Sequence, residues 1–244
     1  MGLQSALRLI YPAQCLSCGT RVEEENALCP ACWRDTPFVG GMVCDACGVP
    51  LPGAAGLDPA GAPVHCDECL RLARPWQRGR AAMLYAGTAR RLVLGLKYAD
   101  RLDLARACGR WLAAAAAPIL RSGMLVAPVP LHWTRLLGRR YNQSAVLAQA
   151  LAAETGLDHC PDLLVRRRRT PTQEGRDLAG RHANLDGALG LHPRRGAQAA
   201  GRHVLLVDDV MTSGATLAAA ADACLAGGAR AVDVAVLVRV PKSE

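Results

Sequence analysis

Apolar runs and helical stripes alternate through the latter two-thirds of the chain. Val204-Leu205-Leu206-Val207 is an unbroken apolar run, which predicts a strand buried on both faces. The Ala-rich stretch from Gly214 to Ala226 predicts a helix, capped by Thr212 or Ser213 and ended by Gly227-Gly228, and Ala231 to Val240 predicts a long apolar strand. Strand, helix, strand with a right-handed crossover gives a parallel sheet. Upstream, Ala81 to Tyr85 reads as a short strand. Thr88 to Tyr98 reads as a helix with Leu92, Leu96 and Ala99 on its apolar stripe and Arg90, Arg91 and Lys97 off it. Asp103 to Ala117 is a second helix, favoured by its alanines. Met124 to His132 is a strand closed by Pro128 and Pro130, and Asn142 opens a helix to Glu154 as its cap or as a ligand contact. The expected fold is α/β, a doubly wound parallel sheet.

Before residue 81 this alternation is absent and cysteines take its place. Cys15-x-x-Cys18, Cys29-x-x-Cys32, Cys44-x-x-Cys47 and Cys66-x-x-Cys69 are four knuckles, and two knuckles complete one tetrahedral zinc shell. Two structural Zn²⁺ ions are therefore expected, with sequential pairing suiting the spacing best and interleaved pairing left open. His65 reads as a loop residue beside the last knuckle. The Gly/Pro-rich loop from Val49 to Pro63 could not bury a core without metal. Cys108, Cys160 and Cys224 read as packed thiols. The organisation expected is a zinc module over 1–72, a linker over 73–80 and the α/β domain over 81–244.

With 244 residues, 51% hydrophobic and 20% charged, the chain has the composition of a soluble globular protein. Met1 to Ile10 is too short and polar for a signal peptide, and Pro118 breaks the apolar run from Trp111 to Leu120. A cytoplasmic protein without membrane insertion is expected. The net charge of +8 suits a polyanionic ligand or nucleic acid without choosing between them.

The chemistry concentrates after the apolar run. Asp208 and Asp209 close that strand, where open α/β sheets bind ligands, and they offer acceptors for a diol such as ribose. The turn Met211-Thr212-Ser213-Gly214-Ala215-Thr216 adds backbone N–H groups, hydroxyls and a helix start, which together make a phosphate cradle. The run Val207 to Thr216 resembles the phosphoribosyl pyrophosphate (PRPP) signature of type I phosphoribosyltransferases. Within that superfamily the chain is similar to the ComF family, the competence-associated proteins that carry an N-terminal double zinc ribbon. Arg139-Arg140-Tyr141-Asn142-Gln143-Ser144 resembles that family's Arg-Gly-Phe-Asn-Gln-Ser block, with Arg140 in place of Gly and Tyr141 in place of Phe. Tyr85 to Arg101, including Lys97, and Arg169 to Gly187 resemble two further blocks.

The resemblance implies a type I phosphoribosyltransferase-like sheet with a flexible hood. It implies that Asp208 and Asp209 orient the ribose, that Met211 to Thr216 hold the 5′-phosphate, and that Mg²⁺ arrives with PRPP. Leu131, His132, Arg135 and Arg139 would form the pyrophosphate loop, and Arg169 and Gln173 the hood. The activity implied is transfer of phosphoribose from PRPP to an unidentified acceptor, linked to natural competence. The alternative is a non-catalytic protein of the same fold that assists single-stranded DNA, with the competence helicase and translocation machinery as partners. Arg166 to Arg169 fit either role: cations of a hood, or a basic arm for backbone phosphates. Lys97 reads as a functional residue or as a salt-bridged helix lysine.

Overall fold

The computed structural model describes residues 12–53, 63–131, 141–166 and 188–241. Two one-turn helices, α1 (Pro30–Arg34) and α2 (Asp67–Arg71), belong to the cysteine-rich part. They are followed by β1 (Gly79–Leu84), α3 (Gly87–Tyr98), α4 (Leu104–Ala116), β2 (Leu125–Pro128), α5 (Gln143–Thr155) and β3 (Asp158–His159). The chain continues through β4 (Leu164–Arg166), β5 (Leu189–Leu191), β6 (His203–Met211), α6 (Ala215–Ala226) and β7 (Ala231–Arg239). Five strands form one parallel sheet in the order β1-β7-β6-β2-β3, and β4 pairs antiparallel with β5.

The two-residue period of a strand explains how one apolar run serves two cores. On β6, Leu205 and Val207 face the core built by α3, α4 and α5 through Leu92, Leu96, Leu112, Leu147 and Leu151. Val204 and Leu206 face the opposite core, where α6 contributes Leu217, Ala220, Ala221 and Cys224. All nine residues of β7 are buried, as a strand covered on both faces requires. This is the doubly wound arrangement expected.

The cysteine-rich part divides between the same two cores. Cys15, Leu16, Leu28, Cys29 and Cys32 pack with α3 and α4, whereas Cys44, Ala46, Cys47, Cys69 and Trp76 pack with the α6 side. Residues 37–39 run along β1, with the Val39 N–H on the Ala82 carbonyl at 2.9 Å and the Leu84 N–H on Pro37 at 2.9 Å. They cover a sheet edge that would otherwise present unpaired backbone groups.

Several boundaries differ from the sequence expectation. Strand β1 begins at Gly79, because Gly79 already pairs with Val234 of β7. Ala99 lies exposed past the end of α3, and Thr88, Ala89 and Val93 join Leu92 and Leu96 on the buried stripe. The N-cap of α6 is Gly214, which takes the left-handed φ of +79° that glycine tolerates, so neither Thr212 nor Ser213 occupies that position. The Ser213 hydroxyl nonetheless accepts from the Ala215 N–H at 3.4 Å. Asn142 caps α5, its side chain accepting from the Ser144 N–H at 3.1 Å. Among the described residues no helix is long and apolar enough to cross a membrane.

Candidate functional site

The eight knuckle cysteines gather into two groups, Cys15, Cys18, Cys29 and Cys32, and Cys44, Cys47, Cys66 and Cys69. Within each group the sulfurs lie within 4.8 Å of one another, close enough for one tetrahedral ion. The pairing is sequential, and His65 stands outside both groups. Each group can coordinate a structural Zn²⁺. Hydrogen bonds from Cys47 and Cys69 hold the Cys44 thiol below its ordinary range, and the same contacts push Cys47 up. Cys108 and Cys224 are buried and pushed up to about 12 by desolvation, as packed thiols should be.

The acid pair lies near the carboxyl end of β6, and two helices, α5 and α3, bring side chains to it. From the first turn of α5, the Ser144 hydroxyl donates to Asp208 Oδ1 at 2.7 Å, and the Asp209 N–H donates to the same oxygen at 2.9 Å. From the end of α3, Lys97 Nζ sits 3.2 Å from Asp209 Oδ1, and both side chains are largely buried. The preceding carbonyl, Leu96, accepts from the Tyr141 hydroxyl at 2.5 Å and from Gln143 Nε2 at 3.3 Å, which ties α3 to the start of α5.

Burial, and next the adjacent Asp209 charge, push Asp208 up to about 7, against the Ser144 and backbone hydrogen bonds. The folded protein therefore keeps this proton to about pH 7, while the unfolded chain releases it near the ordinary value of 3.8. Between those limits the folded state binds the extra proton, so stability falls as pH rises, by at most about 1.4 kcal/mol per pH unit. Asp208→Asn is expected to flatten that slope and to be more stable than the parent above neutrality. Urea denaturation at several pH values from about 5 to 8 checks this; parallel slopes in the two proteins would count against it.

The turn after β6 is held from beneath by arginines. Arg239 Nη1 donates to the carbonyls of Met211 at 3.3 Å and Thr212 at 2.5 Å, and Arg74 Nη1 donates to that of Ser213 at 2.6 Å. A trans peptide points its N–H opposite its C=O, so these bonds turn the N–H groups of Thr212, Ser213 and Gly214 away from the arginines. Three successive N–H groups aimed to one side, next to the start of α6, can hold an anion.

Of the residues expected to form the pyrophosphate loop and hood, Leu131 is half-buried just past β2. His132, Arg135, Arg139, Arg169 and Gln173 lie outside the described residues. Sequence reasoning missed Ser144 as a partner of the acid pair, although it ends the Asn-Gln-Ser block that starts α5. It also missed Arg74 and Arg239, which carry no motif.

The chain matches a family model described as double zinc ribbon domain over residues 6–70 and one described as phosphoribosyl transferase domain over 142–244. It is 32% identical over 217 residues to the DNA utilization protein YhgH of Escherichia coli, covering 87% of this chain and 90% of that one. The chain belongs to the ComF/YhgH family. Its similarity to the competence protein F of Haemophilus influenzae is 28% identity over 210 residues, 84% of this chain and 87% of that one. Among solved structures, an allosteric regulatory enzyme of purine biosynthesis is 20% identical with a TM-score of 0.40, over 59% of this chain and 30% of that chain. A ComF/YhgH protein thus joins an N-terminal double zinc ribbon to a phosphoribosyltransferase-like parallel sheet. Both Lys97 and Arg74 fall between the two matched stretches, in the segment that joins them.

Proposed function

We propose that this protein binds PRPP at the end of β6 and acts in the handling of single-stranded DNA during uptake. The observation that carries the first half is the acid pair, held by Ser144 and Lys97, beside a loop whose N–H groups face one way. Asp208 and Asp209 accept from the ribose hydroxyls, and the loop from Met211 to Thr216 takes the 5′-phosphate. Lys97 limits the repulsion between the two carboxylates and stands ready for a phosphate oxygen. The second half is supported by relatives named for DNA utilization over about nine-tenths of their length, and by the run Arg166 to Arg169 on a chain of net charge +8. The competence helicase and translocation machinery are the protein partners this reading implies.

Mg²⁺ enters with the pyrophosphate. Bound there, the ion would neutralise charge on the pyrophosphate.

The test is calorimetric titration of the zinc-loaded protein with PRPP and Mg²⁺, beside the double variant Asp208→Asn, Asp209→Asn. Binding in the parent, weakened at least about 100-fold in the variant, is expected, since the contacts of both carboxyl groups with the ribose are lost. Undiminished affinity in a folded double variant would remove the acid pair from the site. Single-stranded DNA binding should fall steeply with salt and weaken when Arg166 to Arg169 are neutralised.

The same site supports a second reading, transfer of phosphoribose to an acceptor with release of pyrophosphate. There the residues would act by position and charge: the acids orient the ribose while negative charge builds on the departing group. Pyrophosphate release in a screen of nucleobases and amines distinguishes the two readings.

A further inference from the structure

Beneath the loop, the two arginines share one carboxylate, and that carboxylate belongs to a zinc knuckle. Glu68 Oε2 lies 3.0 Å from Arg239 Nη2 and Glu68 Oε1 lies 3.4 Å from Arg74 Nη2. The two guanidinium side chains are 2% exposed and that of Glu68 is 13% exposed. Glu68 stands on α2 between Cys66 and Cys69, so the ligands of the second metal site fix its position from both sides. The other knuckle is tied in as well. Trp76 stacks under Arg74, 5.4 Å from ring centroid to Cζ, and its Nε1 donates to the Ala46 carbonyl between Cys44 and Cys47 at 2.6 Å. The loop is pressed onto this stack: a Cβ on Gly214 would meet Arg74 Nη1 at 3.0 Å and Trp76 at 3.1 Å.

Arg239 Nη1 also donates to the Val240 carbonyl at 2.5 Å and Arg74 also bonds the Cys69 sulfur, but Glu68 is the carboxylate the two buried cations share, and removing it leaves their charge uncompensated. Without Glu68 the guanidinium groups repel each other and move toward water, and the carbonyls of Met211, Thr212 and Ser213 lose the donors that direct them. We propose that the second ribbon is a positioning device for the anion loop: its metal site fixes Glu68, Glu68 fixes Arg74 and Arg239, and these set the direction of the loop N–H groups. Among the described residues the first ribbon makes none of these contacts; its own run through Asp35 to Thr88 and Arg91 on α3 and through the Leu16 carbonyl to Arg101, between α3 and α4. Metal occupancy of one ribbon, and not the other, then controls affinity for the phosphate of the ligand.

This inference rests on the reading that the loop takes a phosphate, and the experiment separates the two. In the full-length protein with both zinc ions verified, Glu68→Gln and Arg239→Met are compared with the parent in two measurements. One is hydrogen exchange of the peptide spanning residues 211–217 without ligand; the other is titration with PRPP and Mg²⁺. Faster exchange in that segment and affinity weakened about tenfold or more are expected. Asp35→Asn, which loosens the docking of the first ribbon, should change neither. Unchanged exchange in folded Glu68→Gln and Arg239→Met overturns the inference whatever PRPP does. Absence of PRPP binding in the parent would instead overturn the phosphate reading, with the exchange result still deciding the positioning role. If both variants fail to fold, Arg74→Lys decides: it keeps the charge but not the fork, and the same loss of protection is expected.

Discussion

Replacing Cys47 by Ser is expected to release one of the two zinc ions and to lower the melting temperature by at least about 10 °C. Cys47 is fully buried in a cluster of four sulfurs gathered closely enough to share one metal ion. A structural zinc contributes on the order of 10 kcal/mol to the fold of its module. Each kcal/mol shifts the melting temperature of a chain this size by roughly 2–4 °C, so losing even about 5 kcal/mol gives the stated drop. The effect spreads beyond the ribbon because Cys44, Cys47, Cys69 and Trp76 are part of the core under α6. Metal analysis and a thermal melt check it. Two ions retained with an unmoved melt would mean that the cysteines hold no metal of structural weight.

Gly79→Ala should cost about 3 kcal/mol, at the upper end of what overpacking usually does. A Cβ there would stand 2.3 Å from the Ala46 carbonyl oxygen and 3.0 Å from Val234 Cγ2. The oxygen cannot retreat easily: it accepts from Trp76 Nε1 at 2.6 Å, and the neighbouring Asp45 carbonyl accepts from the Gly79 N–H at 2.7 Å. Moving the ribbon would also disturb the buried ion pair of Asp45 with Arg80 at 2.7 Å. Gly40→Ala, where a Cβ meets nothing within 4 Å, should stay within roughly 0.5 kcal/mol of the parent. Urea denaturation of the two variants measures the difference; equal midpoints would show that the ribbon floats on the sheet rather than being docked to it.

Much of the sheet was legible because its strands are apolar on both faces and its helices carry clear stripes. Val204 to Val207 and Ala231 to Val240 announce buried strands by themselves, and the knuckle spacing announces two metal shells. The short pieces were not legible. Strand β3 has two residues and β4 and β5 three each, too few for any period to register. The backing of the loop was invisible for a different reason. Glu68 and Arg74 carry no motif, Arg239 sits in a run read only as an apolar strand, and charged residues are rarely buried. Their burial follows from partners 139 and 171 positions away, which no local pattern can show. Lys97 is the intermediate case: helical periodicity put it off the apolar stripe, and only the fold reveals that this side of α3 faces Asp209.

The separation between Glu68 and Arg239 also sets an order of assembly. At about 5–20 residues per second, a ribosome needs roughly 9 to 34 s to add the 171 positions that separate them. Through that interval the carboxylate has no Arg239 to meet, and the strand that anchors the ribbon from the far side, β7, does not yet exist. The two cysteine clusters, by contrast, close over fewer than thirty positions each and can form as soon as they emerge, provided zinc is at hand. Zinc supply during synthesis, rather than after it, is then what keeps the early part of the nascent chain from waiting unfolded for its partner. The turn after β6 gains its Arg239 contacts only once β7 has been added.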